Sequence, residues 1–192
     1  MTAILVTPPA IEPLTLAEVK AHLRLTTSDD DTLLAALITT ARLQVEQATR
    51  RVLIEQAWRI CLDDWPKGGV FALPITPVVQ VTAITVYNAS GVPTTLPTIA
   101  YEVDSAGTPP RVAIKAGAGI RQRRRLNGIE IDLVAGYGPS GLAVPHPLRQ
   151  AILVLVARWY ENRDGAAYGI VPAALADTFE SLIAPYRSVR LA

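Results

Sequence analysis

A chain of 192 residues, half of them apolar and 18% charged, has material for one compact core; this excludes intrinsic disorder and leaves little room for a second full domain. A formal net charge of +1 excludes a global field that would steer the molecule onto nucleic acid or an acidic membrane, so any DNA contact has to come from a local patch. The single cysteine, Cys61, excludes an intrachain disulfide and suits a reducing compartment.

The first residues, Met1 to Pro9, lack a basic stretch and carry only a short apolar run, so they are not read as a signal peptide. Thr15-Leu-Ala-Glu18 is a capping box, and Leu16, Val19 and Leu23 follow at helical spacing, which predicts a short helix ending near Leu25. A second helix is expected from Ser28, with Asp29, Asp30 and Asp31 in its first turn, where the helix dipole favours negative charge. Leu34, Leu37, Ile38, Ala41, Val45 and Ala48 line one face, and Arg50-Arg51 suit its C-terminal end.

From about Ile54 to Gly141 the period changes to 2. Trp58, Ile60 and Leu62 alternate with Arg59, Cys61 and Asp63; Gln80 to Tyr87 is rich in β-branched residues and closes at the turn Asn88-Ala-Ser-Gly91. Tyr101–Val103 and Val112–Ile114 are shorter strand candidates, and Ile129, Ile131 and Leu133 alternate with Glu130 and Asp132. Seven prolines between Pro66 and Pro110 argue for short antiparallel strands rather than βαβ units.

Helix returns after Pro145-His-Pro147. Leu148 to Asn162 is apolar almost all the way round, which marks either the centre of a bundle or a contact between subunits, with Leu148, Ile152, Leu155, Trp159 and Tyr160 as the candidate residues. Its longest apolar run, Ala151 to Ala157, falls far short of the roughly 20 residues that span a bilayer. Pro172 opens a last helix with Leu175, Phe179, Leu182, Ile183 and Tyr186 on one stripe, and Pro185 stops it. The expected class is therefore α+β, mainly α-helical: a single domain over residues 1–192, with a helical core at 15–51 and 146–187 and a β-rich insertion at about 54–141. A soluble protein, made in the cytoplasm or built into a particle assembled there, is the matching expectation.

A search for chemistry comes back empty, so no catalytic residue, metal site or cofactor is expected. His22 and His146 stand alone, and Asp29 to Asp31 read better as a helix start than as a cation loop. Gly138-Pro-Ser140-Gly141 misses the spacing of a nucleophile elbow, and Gly117-Ala-Gly119 is not followed by the lysine of a phosphate loop. Cys61 reads as packing on a strand. The unusual feature is Arg121-Gln-Arg123-Arg124-Arg125, set between Gly117-Ala-Gly119 and Asn127-Gly128. Two readings stand for these arginines: contact with a phosphate backbone or an acidic neighbour, and a solvated hairpin tip. Contact with DNA would be blind to sequence, because arginine on phosphate carries no base information.

Taken together, Leu16-Ala-Glu-Val-Lys-Ala-His-Leu-Arg24 with the acidic helix start, Leu73-Pro74 to Pro77 leading into Val81-Thr-Ala-Ile-Thr-Val-Tyr87, and Ala135-Gly-Tyr-Gly138 resemble bacteriophage head–tail connector (adaptor) proteins. Val144-Pro-His-Pro-Leu-Arg-Gln-Ala-Ile-Leu153, Trp159-Tyr-Glu-Asn-Arg163 and Pro185-Tyr-Arg187 extend the resemblance over nearly the whole chain in the same order. The resemblance implies a helical core with a β insertion and a ring of about twelve copies beneath a portal, held by a heterologous interface. It further implies a channel through which double-stranded DNA passes, stopper or tail proteins below, and no catalysis. Such proteins occur in phages, prophages and gene transfer agents. On this view Arg121, Arg123, Arg124 and Arg125 are candidates for the channel or a neighbour, and Tyr186, Arg187 and Arg190 for contact with the portal. A stopper or tail-completion protein of the same neck is the alternative, with a small DNA-binding regulator further off.

Overall fold

A computed structural model describes residues 1–115, 124–162 and 173–187, with side chains of 173–177 left aside. The chain forms two compact units: residues 1–10 with 55–137, and residues 11–54 with 138–192.

The first unit is built of antiparallel strands: β1 (Thr2–Thr7), β2 (Gln56–Leu62), β3 (Val70–Ala72), β4 (Val78–Tyr87), β5 (Pro93–Thr95), β6 (Tyr101–Asp104), β7 (Arg111–Ile114) and β8 (Ile129–Ala135). They make a five-stranded sheet in the order β1-β2-β8-β4-β5 and a three-stranded sheet in the order β3-β7-β6. Register explains the alternation in the sequence. Ile60 lies opposite Ile131, which lies opposite Ile84, and Leu62, Ile129 and Val86 form the next row. All six are buried, so one slip of register would turn them to the other face. Arg59, Asp132, Glu130 and Thr85 occupy the opposite face, on the alternate positions.

β1 has no counterpart in the periodicity. Ala-Ile-Leu-Val is an unbroken apolar run that pairs with β2 from one edge of the sheet, with a register shift after Leu5. Every residue of it is exposed. β3 and β5, three residues each, also go beyond the pattern. These added strands make the helical share smaller than "mainly helical" implies, although the class is α+β.

The second unit holds α1 (Leu16–Leu23), α2 (Asp31–Thr49), α3 (His146–Glu161) and α4 (Ala173–Ile183). The capping box at α1 is complete: the Thr15 hydroxyl accepts from the Glu18 amide, and the Glu18 carboxylate accepts from the Thr15 amide at 2.8 Å. Arg24 and Arg50 adopt left-handed backbone at the ends of α1 and α2. α2 starts at Asp31, three residues later than expected, with Asp30 at its N-cap, because the Ser28 carbonyl takes the Asp31 amide in a preceding turn. Its buried face is Leu34, Ile38, Ala41, Arg42, Val45 and Thr49; Leu37 and Ala48 are only half-buried. α3 packs against α1, α2 and α4. Pro147 stands in its first turn, where no amide proton is needed.

Candidate interaction surfaces

The arginine cluster divides at the edge of the described residues. Arg121 and Arg123 lie outside them. Arg124 is held: its guanidinium sits 3.9 Å from the centre of the Tyr87 ring, its Nε donates to the Asn127 carbonyl at 2.7 Å, and Glu130 stands 3.7 Å away. Arg125 is exposed. Next to them on the same sheet, Arg59 donates to both carboxylate oxygens of Asp132, at 2.7 and 3.0 Å, and reaches Glu130 at 3.3 Å. The Asp132 hydrogen bond leads in holding Arg59 charged, with the Coulomb pull of Asp132 and Glu130 behind it. Tyr87 donates to Glu130 at 3.0 Å, and burial followed by that bond pushes its phenol above the ordinary range. Two cations meet two anions here, so this face is an internally neutralised ladder rather than a free basic patch.

Leu148, Ile152 and Leu155 are buried within the chain itself, whereas Trp159 and Tyr160 are half-buried. The Tyr160 hydroxyl donates to Asp30 at 2.6 Å, which ties the end of α3 to the start of α2. At the C-terminal end, the Tyr186 carbonyl accepts from Arg51 at 2.7 Å and Arg187 pairs with Glu180 at 2.7 Å. Arg190 lies outside the described residues.

Two clusters escape the sequence pattern. Arg42, almost fully buried, donates to Glu12 and to Glu46, each at 2.8 Å, and Glu46 also takes the Leu53 amide. Arg149 donates to the Pro13 carbonyl at 3.2 Å and to Glu18. The Thr15 amide leads in pulling the Glu18 carboxyl below its usual range, followed among the lowering causes by the Thr15 hydroxyl and Arg149. A basic residue at helical spacing is the only signal either arginine gives, and solvent explains that equally well.

Among the described residues no group of three or more His, Cys, Asp or Glu could hold a metal ion, and no helix is long and apolar enough to cross a membrane. Cys61 is buried, and desolvation holds its thiol protonated above the ordinary range. Ionisable groups that cluster do so to pair with each other. Among the described residues the charged clusters are paired, and several large apolar side chains, Leu43, Ile99 and Leu142 among them, stand exposed.

The family follows from comparison. Residues 13–100 match the model of the phage gp6-like head-tail connector protein. A chain in the neck of an empty gene transfer agent (GTA) particle, computed with C6 symmetry, is 33% identical over 100% of this chain and 98% of its own, with a TM-score of 0.81. A chain in the virion of a native gene transfer agent particle is 30% identical over the same shares, also at 0.81. One in the neck of a native GTA particle, computed with C12 symmetry, is 30% identical at 0.78, again over 100% and 98%. No curated protein matches. The chain belongs to the head-tail connector family.

Proposed function

We propose that the protein is one subunit of a closed ring in the neck of a phage-like particle of the gene transfer agent type. The ring lies between portal and tail, with double-stranded DNA passing through its channel. The observation that carries this reading is similarity over the full chain to proteins of GTA necks treated with six-fold and twelve-fold symmetry. A ring of about twelve copies is the natural count, and its closure needs two different faces on each subunit. The role is structural, with no reaction to perform.

Within the ring, Arg125 together with Arg121 and Arg123 faces the channel or a neighbour, while Arg124 serves the fold through Tyr87 and Glu130. The segment from Tyr186 through Arg187 to Arg190 reaches toward the portal from a base that Arg51 and Glu180 hold in place. Leu148, Ile152 and Leu155 act as core, leaving Trp159 and Tyr160 the only members of their set with surface to offer.

Light scattering on the purified chain, alone and mixed with the portal protein encoded beside its gene, tests the assignment. A complex holding a fixed multiple of chains per portal is expected. No association at any salt concentration, with tight binding of free duplex DNA instead, would remove the connector role and favour a regulator.

A further inference from the structure

The outward side of α2 is unusual for a helix that faces water. Between Thr32 and Gln47 its only charged side chains are Arg42 and Glu46, and these turn inward and bond to one another at 2.8 Å. The exposed positions from Thr32 to Gln47 are all uncharged, and among these Leu33, Ala36, Thr40, Leu43 and Gln47 form one stripe at spacings of three and four. The Thr40 hydroxyl donates to its own helix, to the Ala36 carbonyl at 2.9 Å. Solvated helix faces ordinarily carry charge. Leu43 is 53% exposed and Leu33 36%, and ten residues of helix place them about 15 Å apart.

A second apolar surface lies elsewhere on the same unit. Two hollows adjoin along α1 and the first turns of α3, one lined by Ile11, Pro13, Leu14 and Leu142, the other by Leu14, Ala21, Pro147 and Leu153. Glu18 and Arg149 form the wall common to both and are bonded to each other. Leu142, at 79% exposure, and Ile11, at 46%, stand on the rim.

We propose that the contact between neighbouring copies in the ring seats the α2 stripe of one chain in the α1–α3 groove of the next, with Leu33 and Leu43 entering the two hollows. The proposal rests on the ring reading above and names its interface. Three observations select a second copy as the occupant. The two surfaces share no residue, so each copy can present both at once, as a head-to-tail contact requires. Their charges are compatible: the stripe has none, and of the groove's ionisable side chains Glu12, Glu18 and Arg149 are already paired while His146 stands exposed, so the contact leaves no carboxylate or guanidinium without its partner. Two exposed leucines on one side stand against two adjoining hollows on the other, an arrangement of the helix-in-groove kind.

The test combines repulsion with cross-linking in the full-length protein and its own portal. Leu33→Arg with Leu43→Arg alters only exposed positions, so far-ultraviolet circular dichroism and melting should stay as in the parent. Assembly on the portal should require at least tenfold more protein. Leu43→Cys with Leu142→Cys should give, on oxidation, a ladder of covalent multimers, which neither single variant gives; the native Cys61 is buried and stays out of it. Parent rings with no ladder, together with arginine variants that assemble at parental concentration, would overturn this interface and leave the connector role standing. A parent chain that forms no ring on the portal would overturn both.

Discussion

Arg42 shows how one residue fastens α2 to the segment that precedes α1. Its guanidinium lies between Glu12 and Glu46 with little access to water, and Glu46 in turn takes the Leu53 amide at 2.9 Å. Removing the cation leaves two carboxylates with only neutral donors, the Thr39 hydroxyl on Glu12 and the Leu53 amide on Glu46, which costs more than the pair contributes. Arg42→Ala should lower unfolding stability by about 3 kcal/mol, read as a shift in the denaturant midpoint at unchanged slope. Glu12→Gln should cost distinctly less, because that side chain is 28% exposed and Glu46 still holds the arginine. Equal losses in the two variants would mean that Glu12, not Arg42, anchors the network. Glu18 makes a second residue-scale case, with a sign fixed by its surroundings. The Thr15 amide, the Thr15 hydroxyl and Arg149 all favour the charged form, so the folded-state pKa lies below the unfolded one. The stabilisation is therefore full above the unfolded value and is lost as pH falls through the folded one. The gap in melting temperature between the parent and Glu18→Gln should be widest near neutrality and close in acid. A gap that is constant with pH would assign the loss to packing alone.

At the scale of elements, Gly141 carries a requirement of space. A Cβ there would stand 2.4 Å from the Pro13 carbonyl oxygen, the same carbonyl that accepts from Arg149. Gly141→Ala should therefore push the two chain segments apart and cost about 1–3 kcal/mol, seen as a lowered melting midpoint with helix content retained. An unchanged midpoint would show that the Pro13 segment yields freely. The sequence announces the helices and the long strands for a local reason. Thr15 with Glu18, the leucines of α2, Pro147 and the alternation in β2 and β8 each write their structure within a few residues. β1 is silent because its reason is remote: Ile4 lies opposite Arg59 and Leu5 opposite Trp58, and an exposed edge strand has no buried face to impose alternation. The three-stranded sheet is partly silent for the same cause, since Phe71 is fixed by Val112 across the chain. Neither Arg42 nor Arg149 carries a local signal that distinguishes it from any helical arginine, so the clusters they organise appear only once Glu12 and Pro13 are folded against them. Of the arginine run, composition shows the charge, whereas the Tyr87 ring and Glu130 that engage Arg124 come from other strands.

For the molecule as a whole, charge decides what the chain can do to DNA by itself. Seventeen carboxylates against eighteen basic side chains leave no field to concentrate a polyanion, and the strongest arginines of the β unit are occupied by Asp132, Glu130 and Tyr87. The isolated subunit should bind duplex DNA only weakly, with a dissociation constant on the order of 10⁻⁴ to 10⁻⁶ M at physiological salt and no preference for sequence. A ring multiplies whatever contact each copy makes, and the counterion-release slope tells which arginines make it. Replacing Arg121, Arg123 and Arg125 by glutamine should flatten the plot of log affinity against log salt by about 3 per subunit if all three meet phosphate. Arg124→Gln should leave that slope nearly unchanged and lower the melting temperature instead, because its guanidinium is committed to the Tyr87 ring and the Asn127 carbonyl. The reverse pattern, a salt slope that depends on Arg124 and ignores its neighbours, would mean that the ladder on the sheet opens to receive DNA. In the proposed ring, a channel that only has to let DNA slide gains from the first pattern, since a few interchangeable cations hold a moving phosphate backbone without gripping any one base step.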